Sequence, residues 1–371
     1  MKVIHFCKGY FPDLVGGMEQ VVRGIAEGTA ALGIDSEVIC LSDLGETRTE
    51  RIGRCMVHFF HTDLRLGVTP ISFALWYRFG RLIEDADLIH YHFPYPFSDF
   101  IHFAARIRKP SVVTYHSDIV RQKFLFRVYR PLMHRFLSSV DRIVLTSHNY
   151  FSTSEVLSCY ANKIRIIPIG LERTLYPAVS RERIAYWRRT VGQKYFLFIG
   201  VLRYYKGLFV LLEAARKTRY PVVVVGAGPL EQQLKATVAR QGIENVQFTG
   251  HLSEEDKVAL LELCLAVILP SHLRSEAFGV SLLEGAMFFK PLISCEIGTG
   301  TSFVNIDRET GLVVRAGDPD ALSSAMTYIW KNQEEAAVMG ARAEARYRKE
   351  FSAQQMAASY VDLYEEIARK D

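Results

Sequence analysis

At 371 residues, 49% of them apolar, the chain exceeds what one hydrophobic core normally fills and has material for two. A formal net charge of +5 is too small for a nucleic-acid-binding domain, which concentrates cations on one face, so no nucleic-acid partner is expected. No run reaches the roughly 18 apolar residues that cross a bilayer; the nearest, residues 258–270, is shorter and contains Glu262. The six cysteines (Cys7, Cys40, Cys55, Cys159, Cys264 and Cys295) form no C-x-x-C pair and have no histidine at zinc-ligand spacing, and read as buried thiols of a reducing compartment. Met1-Lys2-Val3-Ile4-His5-Phe6-Cys7 lacks the long apolar run and small-residue site of a leader and reads as a first strand. The expected location is cytoplasmic, with peripheral attachment to the inner face of the plasma membrane left open.

From that first strand the front half alternates strands and helices. A loop over residues 10–17 leads to a helix over 18–32, capped at Gly33, and a strand over 36–41. Strands over 88–92, 111–116 and 142–147 each run into a polar loop, and 164–170 closes the half. Residues 121–135 interleave Arg121, Lys123, Arg127, Arg130, His134 and Arg135 with apolar residues, as a basic amphipathic helix that lies on an anionic membrane surface or turns its apolar side to the core. Residues 171–194 lose the alternation and carry an Arg-rich helix, which places the domain junction there, with one domain over 1–180 and a second over 190–351.

The back half repeats the alternation and carries the chemistry. A buried strand over 195–200 enters the basic loop Val201-Leu202-Arg203-Tyr204-Tyr205-Lys206-Gly207, at the sheet edge where open α/β folds bind ligands. Arg and Lys together suit a diphosphate, although this loop taken alone is equally compatible with solvation. A strand over 222–225 meets Gly226-Ala227-Gly228-Pro229, where glycine lets backbone approach a ligand closely; this G-x-G lacks the third glycine of the dinucleotide fingerprint. In Ser275-Glu276-Ala277-Phe278-Gly279-Val280-Ser281-Leu282-Leu283-Glu284, a Phe-Gly turn separates Glu276 in a loop from Glu284 inside a helix. The first N–H groups of that helix, at Phe278, Gly279 and Val280, are suited to phosphate, and the carboxylates to sugar or ribose hydroxyls.

In order and spacing, these segments together with Val246-Gln247-Phe248-Thr249-Gly250 closely resemble the nucleotide-binding half of glycosyltransferase family 4. The resemblance continues through Thr310-Gly311-Leu312-Val313-Val314 and Gly317-Asp318-Pro319, and at the front through Gly16-Gly17-Met18-Glu19, so it spans nearly the whole chain. It implies an α/β chain of GT-B architecture: two Rossmann-like doubly wound domains facing across a cleft, with the C-terminal helix, 352–371, crossing back to the first. The implied activity is retaining transfer of a hexose without a covalent nucleophile, the leaving phosphate assisting front-face attack. Arg203 and Lys206 would bind the departing diphosphate, Glu276 the donor-sugar hydroxyls and Glu284 the ribose. His116, at a strand's carboxyl end, matches the family's front-domain histidine that faces the donor sugar, and Gly16-Gly17 would offer backbone to the phosphate or the acceptor. No cofactor and no metal are implied. Asp85-Ala86-Asp87 and Asp318-Pro319-Asp320 match a metal-binding D-x-D but read as a strand approach and a helix start.

Two departures bear on specificity. Family members often carry Arg directly after the glycine at position 200; here Val201 stands there and the guanidinium arrives with Arg203, pointing the same way in an extended segment. The loop Gly298-Thr299-Gly300-Thr301-Ser302 replaces a plain Gly-Gly. With the basic loop, it looks most like bacterial O-antigen mannosyl- or rhamnosyltransferases, which implies a GDP-linked mannose or deoxyhexose donor and a lipid-linked saccharide acceptor. A nucleotide-sugar epimerase on the same architecture and a non-catalytic sugar-nucleotide-binding subunit are the competing readings.

Overall fold

The computed structural model describes residues 1–14, 16–119 and 123–369, without the side chains of 123–125. The chain divides into two compact units, Met1–Gly170 with Ser352–Asp371, and Leu171–Phe351.

Among the described residues, the first unit has ten strands: β1 (Lys2–Phe6), β2 (Asp35–Ser42), β3 (Arg48–Ile52), β4 (Cys55–His61), β5 (Leu64–Leu66), β6 (Thr69–Ile71), β7 (Leu88–Phe93), β8 (Ser111–Tyr115), β9 (Arg142–Leu145) and β10 (Ile164–Ile166). Its main sheet has the order β10-β9-β8-β7-β1-β2-β4-β3, parallel except for the antiparallel edge strand β3, while β5 and β6 form a separate hairpin. Every residue of β7 and β8 is buried, as expected of parallel strands covered on both faces. Helices α1 (Gly17–Ala31), α2 (Phe73–Leu82), α3 (Pro96–Ala104), α4 (Lys123–Ser139) and α5 (His148–Ser152) connect the strands. The C-terminal helix (Ala353–Ala368) packs on α1 so closely that a Cβ on Gly28 would lie 2.8 Å from Ala357 Cβ.

The second unit opens with α6 (Arg181–Val191) and then winds β11 (Phe196–Ile199), α7 (Leu208–Thr218), β12 (Val222–Val225), α8 (Glu231–Gln241), β13 (Val246–Gly250), α9 (Glu254–Leu263), β14 (Ala266–Leu269), α10 (Val280–Met287), β15 (Leu292–Glu296), α11 (Thr301–Val304), β16 (Gly311–Arg315), α12 (Pro319–Lys331) and α13 (Gln333–Glu350). Its sheet runs β13-β12-β11-β14-β15-β16, parallel throughout. The order reverses between β11 and β14, the switch point at which such sheets bind ligands.

Residues 171–180 lie in the second unit rather than at the end of the first. Leu171 N–H donates to Phe351 O at 2.9 Å, Tyr347 donates to Leu171 O at 3.0 Å, and the Tyr176 hydroxyl reaches Glu284. Helix α6 is held there by Trp187 and Arg183, both donating to buried Asp256 on α9 at 2.6 Å. Cys159, expected among the buried thiols, is exposed; the other five are buried. Arg121 of the basic amphipathic segment lies outside the described residues. In the described part of α4, Met133, Phe136 and Leu137 face the core, while Arg127, Arg130 and Arg135 are exposed.

Candidate functional site

The loops leaving β11 and β14 meet at the second sheet's switch point. After β11, Val201 and Arg203 are exposed while Leu202 is buried, and Arg203 N–H donates to Val201 O at 2.8 Å, so the segment turns tightly here instead of running extended as expected. Lys206 folds back through a single 3-10 turn, and its ammonium donates to Glu276 Oε2. Ser271 Oγ donates to the same oxygen at 3.0 Å. Glu276 is buried, and its backbone is clamped by the Gly-rich loop: Thr299 Oγ1 donates to Glu276 O at 2.7 Å and Gly300 N–H to Ala277 O at 2.8 Å. Size selects glycine at 300, because a Cβ there would lie 2.5 Å from Phe278 Cδ2.

Helix α10 starts at Val280 because Gly279 takes φ +89°, a conformation other residues adopt only with strain. Phe278 before it is buried against Phe303 and Phe351, which fixes where the chain enters the helix. Val280 and Ser281 thus present first-turn N–H groups, and the buried Ser281 Oγ has no hydrogen-bond partner among the described residues. One turn on, buried Glu284 accepts from Lys257 Nζ at 2.9 Å and from the Tyr176 hydroxyl at 3.0 Å, both at Oε1. Burial alone would lower the pKa of Lys257, but the charges of Glu284 and Glu254 outweigh it and hold the amine above its usual range. Burial first, and then the Glu284 carboxylate, raise the Tyr176 hydroxyl well above normal and keep it a donor. On the other side of β11, Gly226 has φ +128°, and a Cβ there would fall 2.2 Å from Gly200 O. Gly226 therefore draws the ends of β11 and β12 together.

In the first unit, Gly16 caps α1 in an extended conformation without a side-chain bond, and Gly17 opens the helix exposed to solvent. A Cβ on Gly16 would lie 2.5 Å from Glu19 Oε2. His116 follows β8, and strand register stacks His5, His90, His92 and Thr114 on one face of β1, β7 and β8. His116 Nε2 and His92 Nδ1 are 3.1 Å apart, and His92 Nε2 and His5 Nδ1 3.3 Å. His90 bonds Tyr364 and Thr114, each at 2.7 Å, and Thr114 bonds Tyr360 at 2.9 Å, so a buried polar layer joins the sheet to the C-terminal helix. Burial lowers the pKa of His5 to about 3 and of His116 to about 4, so the chain of rings is neutral at pH 7. Two proton orders are then available. One leaves a buried N–H on His5 Nε2, an atom without a partner among the described residues; the other leaves only a lone pair there, the smaller cost. The network thereby assigns the proton of His116 to Nδ1.

Ring nitrogens of His5, His90 and His92 come within 4.8 Å of one another, a spacing compatible with a metal ion, but all except His5 Nε2 are committed to hydrogen bonds. Both D-x-D matches are occupied structurally. Asp85 and Asp87 bond Lys2; Asp318 caps α12 and pairs with Arg315, and Asp320 pairs with Lys217.

The second unit brings Arg203, Lys206, Glu276, Phe278, Gly279, Val280, Glu284 and Gly226 to one sheet edge; Gly16, Gly17 and His116 lie in the first unit. Sequence reasoning missed Lys257, Tyr176, Ser281, His5 and His92 as parts of these networks. Lys257 ends the charged stretch Glu254-Glu255-Asp256-Lys257, which reads as a solvated helix start, so the sequence carried no signal for its burial. Period-2 histidines in Leu88-Ile89-His90-Tyr91-His92 signalled one polar face.

Residues 15–175 match the model described as Glycosyltransferase Family 4, and residues 181–346 that described as Glycosyl transferases group 1. The chain is 52% identical to D-rhamnosyltransferase WbpZ of Pseudomonas aeruginosa, covering 95% of this chain and 93% of that protein. It is 47% identical to O-antigen chain mannosyltransferase C of Escherichia coli, covering 98% of each. Among solved structures, sucrose-phosphate synthase from Thermosynechococcus elongatus superposes with a TM-score of 0.83 at 19% identity over the whole of both chains, a likeness of fold. With two Rossmann-like units and this degree of identity along nearly its full length, the chain belongs to the family 4 glycosyltransferases and has the GT-B fold.

Proposed function

We propose that this glycosyltransferase moves mannose or a deoxyhexose such as rhamnose, with retention, from a GDP-linked donor to a lipid-linked saccharide during O-antigen synthesis. The observation that carries the donor site is the convergence at the β11/β14 switch point of a glycine-initiated helix, an unpartnered buried hydroxyl and two buried carboxylates. Support for the sugar and the pathway comes from the two relatives, one described as a D-rhamnosyltransferase and the other as an O-antigen mannosyltransferase.

In this reading the diphosphate rests on the N–H groups of Val280 and Ser281 and on Ser281 Oγ, with Arg203 supplying a planar cationic fork. Glu284 Oε2 has no hydrogen-bond partner among the described residues and is assigned the ribose hydroxyls, while Lys257 and Tyr176 hold the carboxylate by Oε1. Lys206 and Glu276 form an ion pair that the substrate rearranges: the ammonium turns to the departing phosphate and the carboxylate to the sugar hydroxyls. As the glycosidic bond breaks, these donors meet the growing phosphate charge and the phosphate assists removal of the acceptor's proton. His116, with its proton on Nδ1, is assigned to donate to a hydroxyl of the reacting sugar. Gly16 and Gly17 offer backbone to the phosphate or the acceptor. Arg and Lys provide the positive charge, so the proposed reaction needs no divalent cation.

Thermal-shift titration of GDP, UDP and ADP in EDTA tests the donor site. Selective stabilisation by GDP that Glu284→Ala weakens supports the reading; no response to any nucleotide contradicts it.

A further inference from the structure

The first unit contains a cavity of about 930 Å³, within the size range of small-molecule sites, that the donor site does not use. Its position is informative. The first sheet reverses order between β1 and β7, and the cavity is lined by Lys8 after β1, by residues 94–97 after β7 and by Ile119, three residues beyond His116. It therefore opens at that sheet's own ligand-binding edge. One wall is the β5–β6 hairpin, with Leu64 and Leu66 on the lining face, and the opposite walls are Phe73 and Trp76 of α2 and Phe100 of α3.

The wall chemistry selects the occupant. The two lining tyrosines spend their hydroxyls on protein: Tyr95 donates to Pro70 O at 3.1 Å, and Tyr129 donates to buried Asp99. Among the described residues, Thr69, Lys8 and the indole N–H of Trp76 are the further polar groups of the lining. A peptide segment seated here would bury backbone amides against walls with few hydrogen-bonding groups, whereas a hydrocarbon chain loses nothing on entry. The rim has the character of a membrane interface. Val68 of the lining is 62% exposed, and exposed Arg130 lies four residues, one helical turn, beyond the lining residue Phe126 on α4. Lys8 in the lining and Arg130 complement the phosphate head of a lipid.

We infer that this cavity holds the hydrocarbon chain of the phospholipid-type carrier bearing the acceptor saccharide. The inference rests on the lipid-linked acceptor proposed above and assigns the part of the protein that recognises the lipid.

The test is calorimetric titration of the full chain with farnesyl phosphate below its micelle concentration, and with inorganic phosphate, in the wild-type, Leu66→Asp and Trp76→Ala proteins. Leu66 and Trp76 are 55% and 44% exposed, so both variants are expected to fold, which thermal unfolding checks. The expected result is binding of farnesyl phosphate but not of phosphate alone, weakened about tenfold or more by Leu66→Asp. Equal affinity in all three proteins, or no binding by the wild type, overturns the proposal. Loss of phosphatidylglycerol-vesicle binding in Leu66→Asp without any farnesyl phosphate binding by the wild type makes the surface a bilayer-docking face and also overturns it. GDP titrated into the same samples reports on the donor site separately, because Leu66→Asp leaves that response unchanged.

Discussion

Lys257 Nζ donates to Glu284 Oε1 across 2.9 Å between two helices of the second unit, and both side chains are almost wholly buried. The pair converts the proposed ribose ligand from a mobile carboxylate into a fixed one. Neutralising Glu284 leaves the buried ammonium, among the described residues, with Glu254 as its remaining carboxylate partner and the Tyr176 ring beside it. Glu284→Gln is expected to cost roughly 2 kcal/mol of stability and to weaken GDP about tenfold or more. Lys257→Met is expected to weaken GDP less, because the nucleotide's own contact remains. Denaturant unfolding and nucleotide titration read the two effects separately.

Lys206 and Glu276 neutralise each other in the structure and have separate tasks in the proposed reaction. Lys206→Ala and Glu276→Gln are each expected to lower kcat by about 10²- to 10³-fold, with smaller changes in KM for the donor. The double variant is expected to lose much less than the product of the two factors, since the groups act as a unit. Steady-state kinetics of all three proteins test this.

Stability should fall steeply in mild acid. Burial holds the pKa of His5 at about 3, and those of His90 and His92 well below the usual value. Each group's folded-state pKa lies below its unfolded value near 6.5, so its contribution is complete above that pH and is lost as pH falls from there toward the folded value. The expected loss is about 1.4 kcal/mol per pH unit for each such histidine. Unfolding midpoints between pH 7.5 and 5 measure the slope, and His5→Asn should make it shallower.

His92 reaches no substrate in this account; it acts by fixing the His116 tautomer. His92→Leu is therefore expected to reduce kcat about tenfold while leaving GDP affinity unchanged, and His92→Gln, whose amide can still donate to His116 Nε2, to restore part of the loss. Equal kcat in His92→Leu and wild type would contradict the positioning role.

Gly279→Ala tests the helix start. A Cβ there would sit 2.8 Å from Leu269 Cδ2 at φ +89°. The expected cost is about 1–2 kcal/mol in stability, together with weaker GDP binding as the first turn shifts.

Much of this was legible in the sequence for identifiable reasons. Two of the second unit's strands are short apolar runs ending in glycine, so β11, β12 and the placement of Glu276 in a loop and Glu284 in a helix followed from pattern and spacing. The hairpins β3–β4 and β5–β6 were not read, because Arg48–Ile52 is mostly polar and Leu64–Leu66 is too short to carry a period. The cavity that β5–β6 helps form was invisible for the same reason. Ion pairs between distant residues, such as Lys257 with Glu284 or Lys206 with Glu276, depend on which helices and loops meet, and local pattern does not specify that.

The most direct test of the proposed chemistry is proton NMR of GDP-mannose turnover by the wild-type protein in EDTA, with water as the slow acceptor and the first-formed sugar anomer as the readout. The account predicts GDP release with mannose first appearing in the donor's own anomeric configuration, abolished in Glu276→Gln. Appearance of the opposite anomer, of a sugar epimerised away from mannose, or of no product while GDP binding is intact would contradict it.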